Sequence, residues 1–460
     1  MANHGEALPL ELLCCPRCSG PLRQAAGVDC TACGVEYPFV GGMPWLFPDP
    51  AAALGDWRAR LHAFVAGLEQ QSDRYRAALA GAGERASTRN RLKLLAGACS
   101  DHARRLRALL APLADESTAA APEIYRALGV ALPVAQGLTS YYANLHRDWC
   151  WGEAENESCF RLVDEALGPD EPGRTLLPGV GAGRLAYDLH LRRQPELLLG
   201  ADINPLLMLA ARRLFAGEAV ELYEFPVAPR DIDSHAILRR LRAPQPAPAG
   251  LHLLFADVTT GPFAPGAFDT VVTPWLIDIL EEDCASFARR LNRWLRPGGR
   301  WINSGSLAFH GGDPASRYSL EELRVILAEA GFADVQCRED EVPYLSSPAS
   351  RHARRETVVT FSAVKREEAS LPAPVRRAPQ WLERGDLPVP LQPDLAGRQL
   401  ELRVLAYVAS LLDGQRSIRD IAQVLVDRRM VAAEEAEPMV QGFLRRMYQE
   451  SRTGAGAVQP

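Results

Sequence analysis

LLPGVGAGRLAYDL, residues 176–189, passes from a short apolar run into a helical pattern through Gly179, Gly181 and Gly183. Glycines at such a junction let the backbone turn sharply and approach a ligand, and the helix N-terminus that follows favours an anionic group. For a dinucleotide the third glycine should stand at 184, which is Arg. From 174 onward short apolar runs alternate with helical segments: TLLPG, ELLLGAD, LHLLFAD, FDTVVTPWLID, GRWINSGS, DVQCREDEVPY and TVVTFSAVK. Helices read at 183–192, 205–216, 284–295 and 319–330. That alternation predicts an α/β fold with an open, mostly parallel sheet, whose ligands bind outside the carboxyl ends of the strands.

The ends of the next two strands carry carboxylates. The second ends in GADIN, with Asp202 about twenty residues beyond the loop, where it can take both hydroxyls of a ribose. The third ends in FADVT, placing Asp257 and Val258 where an adenine would lie. The G-x-G-x-G spacing together with these strand ends points to S-adenosylmethionine as cofactor. A non-binding α/β domain is the alternative.

Composition bounds the rest. A chain of 460 residues, 47% hydrophobic and 23% charged, predicts two or three soluble domains with linkers. A net charge of −6 gives no support for broad nucleic-acid or membrane-surface binding. No signal peptide or transmembrane run is read, so the expectation is a cytoplasmic protein with reduced or metal-bound cysteines.

Near the N-terminus, Cys15-x-x-Cys18 and Cys30-x-x-Cys33 have the spacing of a closed four-thiolate zinc site, with Cys14 as a spare neighbour. The alternative is chance clustering of thiols. Residues 9–48 resemble the small zinc-ribbon activator subunits of tRNA and release-factor methyltransferases, through Cys15, Cys18, Cys30, Cys33, Tyr37, Pro38, Gly42 and Pro44. The zinc is read as structural. Residues 51–140 carry apolar residues at helical spacing and predict amphipathic helices.

Five segments occur in order: RDWCWGEAENE (147–157), LLPGVGAGRLA (176–186), FDTVVTPWLIDIL (268–280), LRPGGRWINSGSLAFH (295–310) and YSLEELRVILAEAGF (318–332). Together they resemble the catalytic domain of the carnosine N-methyltransferase family over residues 141–366. The resemblance implies a Rossmann-like seven-stranded class I methyltransferase core and methylation of an imidazole nitrogen. It assigns Asp278 and His310 to the catalytic pocket, handling the imidazole at the ends of neighbouring strands. Arg147 matches an arginine that reaches the cofactor carboxylate or the sheet, with a structural ion pair as the alternative. The family's GNE is GAD here, its GPLLYH is GSLAFH, and its FFIDTA is WLIDIL, so the acceptor need not be carnosine itself.

Residues 367–392 form a proline-rich connector, and residues 393–452 read as three helices similar to the small winged-helix-like PqqD domains, with a packing or dimerisation domain as the alternative. The reading is an S-adenosylmethionine-dependent N-methyltransferase acting on histidine in a small molecule, peptide or protein. An rRNA or tRNA methyltransferase with ribbon-mediated substrate binding is a second reading. A non-catalytic cofactor-binding recruitment module is a third.

Overall fold

The computed structural model describes residues 8–25, 27–80, 85–113, 138–280, 282–309, 314–370, 388 and 393–453. The chain divides into two compact units, one ending at Leu371 and one spanning Pro372–Ala457.

In the first unit, short strands β1 (Leu22–Gln24), β2 (Val28–Cys30) and β3 (Glu36–Tyr37) form a small antiparallel sheet, followed by β4 (Phe39–Val40) and β5 (Met43–Leu46). Helices α1 (Pro50–Ala80), α2 (Ala86–Leu109), α3 (Tyr142–His146) and α4 (Glu153–Leu167) come next, with a π-helical turn at Arg147–Trp151 between the last two. The α/β region then runs β6 (Arg174–Pro178), α5 (Arg184–Arg193), β7 (Leu197–Asp202), α6 (Pro205–Phe215), a hairpin of β8 (Val220–Glu224) and β9 (Ile237–Leu241), and β10 (Leu251–Ala256). It closes with β11 (Phe268–Pro274), α7 (Cys284–Trp294), β12 (Leu295–Gly305), α8 (Leu320–Glu329), β13 (Phe332–Tyr344) and β14 (Arg354–Lys365).

The main sheet has nine strands in the order β13-β14-β12-β11-β6-β7-β10-β5-β4. From β12 to β5 all neighbours are parallel; β14 runs against β12 and β13, and β4 against β5. Seven of these strands lie within residues 174–365. The other two come from the segment after the cysteine pairs, because β5 pairs with β10 through Phe255–Trp45 and Ala256–Leu46. The ribbon is therefore fused to the sheet edge rather than tethered to it, and the helices of residues 51–80 and 85–109 belong to the same unit.

The apolar runs are continuous because the sheet is buried on both faces. Successive residues of β6, β7, β10, β11 and β12 alternate between two cores. Leu177, Leu198, Phe255, Val272 and Ile302 join the core covered by α1, α2, α4, α5 and α6. Leu176, Leu199, Leu254, Val271 and Trp301 join the core covered by α7, α8 and the ribbon. The WIN stretch is structural at its centre. Trp301 Nε1 donates to Thr273 Oγ1 at 2.9 Å, Thr273 Oγ1 donates to Asn303 Oδ1 at 2.9 Å, and Asn303 Nδ2 donates to the Val359 carbonyl at 3.2 Å. These bonds lock β11, β12 and β14 together.

Helix α2 meets α3 through buried His102 and His146, which sit among the rings of Tyr142, Tyr223 and Phe225. Burial pushes His102 down to about 4 and His146 down to about 3, from an ordinary 6.5. Both are thus neutral in the folded protein, while the unfolded chain takes up protons below pH 6.5. The stability is present above that pH and is lost as pH falls toward the folded values, at about 1.4 kcal/mol per pH unit per histidine. Thermal melting at pH 7.5 and pH 5 is the measurement, and replacing both histidines by Phe should flatten the fall.

In the second unit, α9 (Pro393–Ser410), α10 (Ile418–Asp427) and α11 (Ala433–Thr453) pack around Val408, Leu411, Ile421, Leu425 and Val440. Ser417 starts α10 with a reciprocal capping box to Asp420. Among the described residues this unit contains three helices and no strand, so a winged hairpin is absent from them. No described helix is long and apolar enough to cross a membrane.

Candidate active site

A cavity of about 1220 Å³, counting its open mouth, lies at the carboxyl ends of β6, β7, β10 and β11. Its floor is the glycine loop, through Gly179 and Gly181, while Gly183 does not line it. Gly179, Gly181 and Gly183 have φ of 69°, 58° and 85°, in the left-handed region that side chains resist. A Cβ on Gly179 would stand 2.8 Å from Leu276, and one on Gly183 would stand 2.7 Å from Phe215. Gly181 has nothing within 4 Å of such an atom, so its backbone faces open space.

Asp202 ends β7 beside that loop. It accepts from the Gly181 N–H at 2.9 Å and the Asn204 N–H at 2.9 Å. Burial raises its pKa, and the N–H groups of Asn204, Gly181 and Ile203 oppose the rise. A carboxylate has about four acceptor positions, so room remains for ribose hydroxyls. Asp257 caps the turn Val258–Thr260, with Oδ1 accepting from the Thr259 N–H at 2.8 Å and its hydroxyl at 2.7 Å. Asp257 and Val258 both line the cavity.

The segment from Tyr141 to Trp149 closes over the loop. Trp149 Nε1 donates to the Ala182 carbonyl at 2.8 Å, and Arg184 donates to the Asp148 carbonyl at 2.8 Å. Arg184, the residue in the third-glycine position of a dinucleotide loop, thus ties α5 to this segment. Arg147 lines the cavity and pairs with Asp148 at 2.7 Å and Glu155 at 3.4 Å. It is in a buried ion pair and at the cavity wall at once. Asn144 lines the cavity too, and its Oδ1 is buried with no hydrogen-bond partner. An orphaned acceptor beside an arginine fits the ammonium and carboxylate of a bound amino acid group. Tyr141 and Asn144 are not among the residues read from the sequence, although their three-residue spacing to Arg147 is the available signal.

Part of the cavity wall is aromatic. Tyr141, Trp275 and Tyr344 line it, and the Trp275 and Tyr344 rings stand 4.8 Å apart at 49°. Tyr141 and Trp275 hold φ of 61° and 50°. Left-handed backbone at such residues costs on the order of 1–3 kcal/mol each and gathers at ligand sites.

Asp278 departs from its expected placement. β11 ends at Pro274, and the left-handed turn at Trp275 carries the chain out of the sheet, so Asp278 lies in a turn four residues beyond the strand. It is 7% exposed, and the residues lining the cavity are its neighbours Trp275, Leu276, Ile279 and Leu280 rather than Asp278 itself. Burial first, then the charges of Tyr344, Asp278 and Asp202, push the Tyr141 phenol up to about 12. His310 lies outside the described residues.

The four cysteine sulfurs of Cys15, Cys18, Cys30 and Cys33 all lie within 4.8 Å of one another. Cys15–Cys33 is 3.7 Å and Cys18–Cys30 is 3.5 Å. Zinc–sulfur bonds of about 2.3 Å in a tetrahedron require about 3.8 Å between sulfurs, so the set fits zinc. Burial opposes the Cys30 thiolate, yet the N–H groups of Cys33 and Ala32 outweigh it and hold the thiol down to about 6. Cys14 stands apart, with its thiol on the Gly261 carbonyl at 3.5 Å and burial pushing it up to about 11. One zinc per chain should co-purify. Replacing Cys15 and Cys18 by Ser should strip it, as read by elemental analysis; full retention would place the ligands elsewhere.

Residues 176–303 match the family described as methyltransferase domain. No curated protein matches the chain. Among solved structures, Haemonchus contortus phosphoethanolamine N-methyltransferase 2 is similar at 16% identity and a TM-score of 0.34, covering 51% of this chain. The match spans 59% of that protein's length. A Thermotoga maritima methyltransferase titled a possible histamine N-methyltransferase shares 17% identity over 49% of this chain and 93% of its own, with a TM-score of 0.30. The complex between the Haloferax volcanii Trm112 methyltransferase activator and a methyltransferase shares 15% identity over 50% of this chain and 98% of the matched one, with a TM-score of 0.33. The glycine loop, Asp202, Asp257, Val258 and Asp278 all fall inside the matched span, whereas Arg147 and His310 fall outside it.

Proposed function

We propose that this protein transfers a methyl group from S-adenosylmethionine to an imidazole nitrogen of histidine in a small molecule, peptide or protein. The observation that carries the reading is the joining of two half-sites in one cavity. The glycine loop, Asp202 and Asp257 line the same cavity as the rings of Tyr141, Trp275 and Tyr344, and Asp278 sits among the lining residues Trp275, Leu276, Ile279 and Leu280 in sequence. S-adenosylmethionine supplies an activated sulfonium methyl. The nitrogen that attacks must carry a lone pair, so the ring must be neutral. Methyl transfer forms the N–C bond, breaks the S–C bond and leaves a ring cation that must lose its N–H proton.

The chain's residues then have distinct roles. Gly179, Gly181, Gly183, Asp202, Asp257 and Val258 hold the nucleoside end. Arg147 and Asn144 hold the amino acid end. Asp278 accepts or orients the ring N–H, directly or through the groups between it and the cavity, and takes up the developing positive charge. His310, assigned by its motif alone, orients the ring. In-line placement and exclusion of water account for most of the rate in such a transfer. The ribbon holds zinc as a structural ion, and the described three-helix unit engages a peptide or protein acceptor.

The test is incubation with methyl-labelled cofactor and a cell extract, separated into small-molecule, protein and RNA fractions. Label on histidine nitrogen supports the reading. Label in RNA supports the nucleic-acid methyltransferase instead, and cofactor binding without transfer to any fraction supports a recruitment module.

A further inference from the structure

Trp275 and Leu276 are adjacent in sequence, and both line the cavity. Leu276 lies on the glycine loop, where it would touch a Cβ on Gly179 at 2.8 Å. The Trp275 ring lies 4.8 Å from Tyr344 and packs against the small cluster of Leu162, Val342 and Val358. A φ of 50° at Trp275 produces this split. Two contacts enforce it: the Trp275 N–H donates to the Ser304 carbonyl at 3.0 Å, and Gly305 has no Cβ where one would stand 2.8 Å from the Trp275 Cα and N. The neighbourhood is strained as a group. Tyr141 has φ 61°, and Leu345, directly after Tyr344, has φ 50°. A bulky residue in this region is an outlier that persists only where the surroundings over-determine it, and such outliers gather at ligand clamps.

The charges at the cavity wall decide what these rings receive. Asp148 is paired with Arg147, Asp188 with Arg184, and Asp202 and Asp257 accept backbone N–H groups. A flat, neutral nitrogen ring needs only the faces and one polar partner at its edge.

We propose that Trp275, held in its left-handed conformation against Gly305, is the acceptor-selecting wall of the cavity and, with Tyr141, receives a flat neutral nitrogen heterocycle by its face. This rests on the methyl-transfer reading above. It adds the residue that sets acceptor shape, at a position where this chain has Trp in the WLID stretch.

Two substitutions test it. Trp275→Gly removes the ring at a backbone conformation that glycine adopts freely, and Trp275→Phe keeps a smaller ring. Calorimetry with S-adenosylhomocysteine should show unchanged affinity in both, establishing that the fold and the nucleoside end are intact. With labelled cofactor, KM for imidazole or L-histidine should rise on the order of 10-fold in Trp275→Gly, the scale of one lost ring stack, with a smaller change in kcat. Trp275→Phe enlarges the lobe, so the kcat/KM ratio for benzimidazole over imidazole should rise on the order of 10-fold. If Trp275→Gly loses cofactor binding through misfolding, the Trp275→Phe ratio alone decides. Imidazole transfer with an unchanged ratio in Trp275→Phe overturns the role of Trp275 and leaves the imidazole reading standing. Wild-type transfer to ethanolamine but to no imidazole, histidine or histidine-containing fraction of the extract, or to none of these, overturns both.

Discussion

Asp202→Ala is expected to weaken S-adenosylmethionine binding by a factor on the order of 10² to 10⁴. Two charge-assisted hydrogen bonds to the ribose are lost, each contributing about 1.5–3 kcal/mol. The carboxylate also accepts the N–H groups of Gly181 and Asn204, so its removal frees the glycine loop that faces the ligand. Calorimetric titration with S-adenosylhomocysteine measures the effect, and unchanged affinity would remove Asp202 from the site. Acid should act in the same direction. Burial raises the Asp202 pKa, so protonation begins at a higher pH than for an ordinary aspartate and affinity falls as pH is lowered through that value.

Asp278→Asn is expected to lower methyl transfer by a factor on the order of 100 while leaving cofactor affinity nearly intact. The amide is close to isosteric, so the buried turn after β11 should hold. It removes the negative charge that the Tyr141 phenol experiences, and with it the charge that stabilises an acceptor ring becoming cationic. Single-turnover measurement with saturating cofactor isolates the effect. Wild-type turnover in the variant would end the role of Asp278, and with it the main argument for imidazole chemistry. The geometry sharpens this test. Because Asp278 is 7% exposed and stands beside the lining residues rather than among them, an effect on turnover without an effect on cofactor binding reports on the acceptor end alone.

The ribbon and the cofactor end are physically joined, which bears on both predictions. The Cys14 N–H donates to the Pro262 carbonyl at 3.0 Å, and the Ala264 N–H donates to the Leu12 carbonyl at 2.9 Å. Leu12, Leu13 and Cys15 share a core with Val258 and Phe263. Variants of the cysteine pairs should therefore be assayed for cofactor affinity as well as metal content.

The sequence by itself determined the elements and the placement of the glycine loop and the strand-end aspartates. Strand–turn–helix punctuation, continuous apolar runs and the glycine spacing are local, so β6, α5, β7, α6, β10, β11 and β12 were all legible with their strand-end aspartates. The cysteine spacing was equally local, and the four sulfurs do converge. What only the tertiary structure decided was non-local. Pairing of β5 with β10 depends on two segments about 200 residues apart, and neither carries a mark of its partner. The engagement of Arg147 depends on Glu155 and on the packing of the π-helical turn over Ala182. The direction of Trp275 depends on one backbone angle and on the missing Cβ of Gly305, thirty residues away on the neighbouring strand. A motif states which side chains are available near a strand end; the turn that follows the strand sets which of them reaches the cavity, because one left-handed residue redirects every side chain after it.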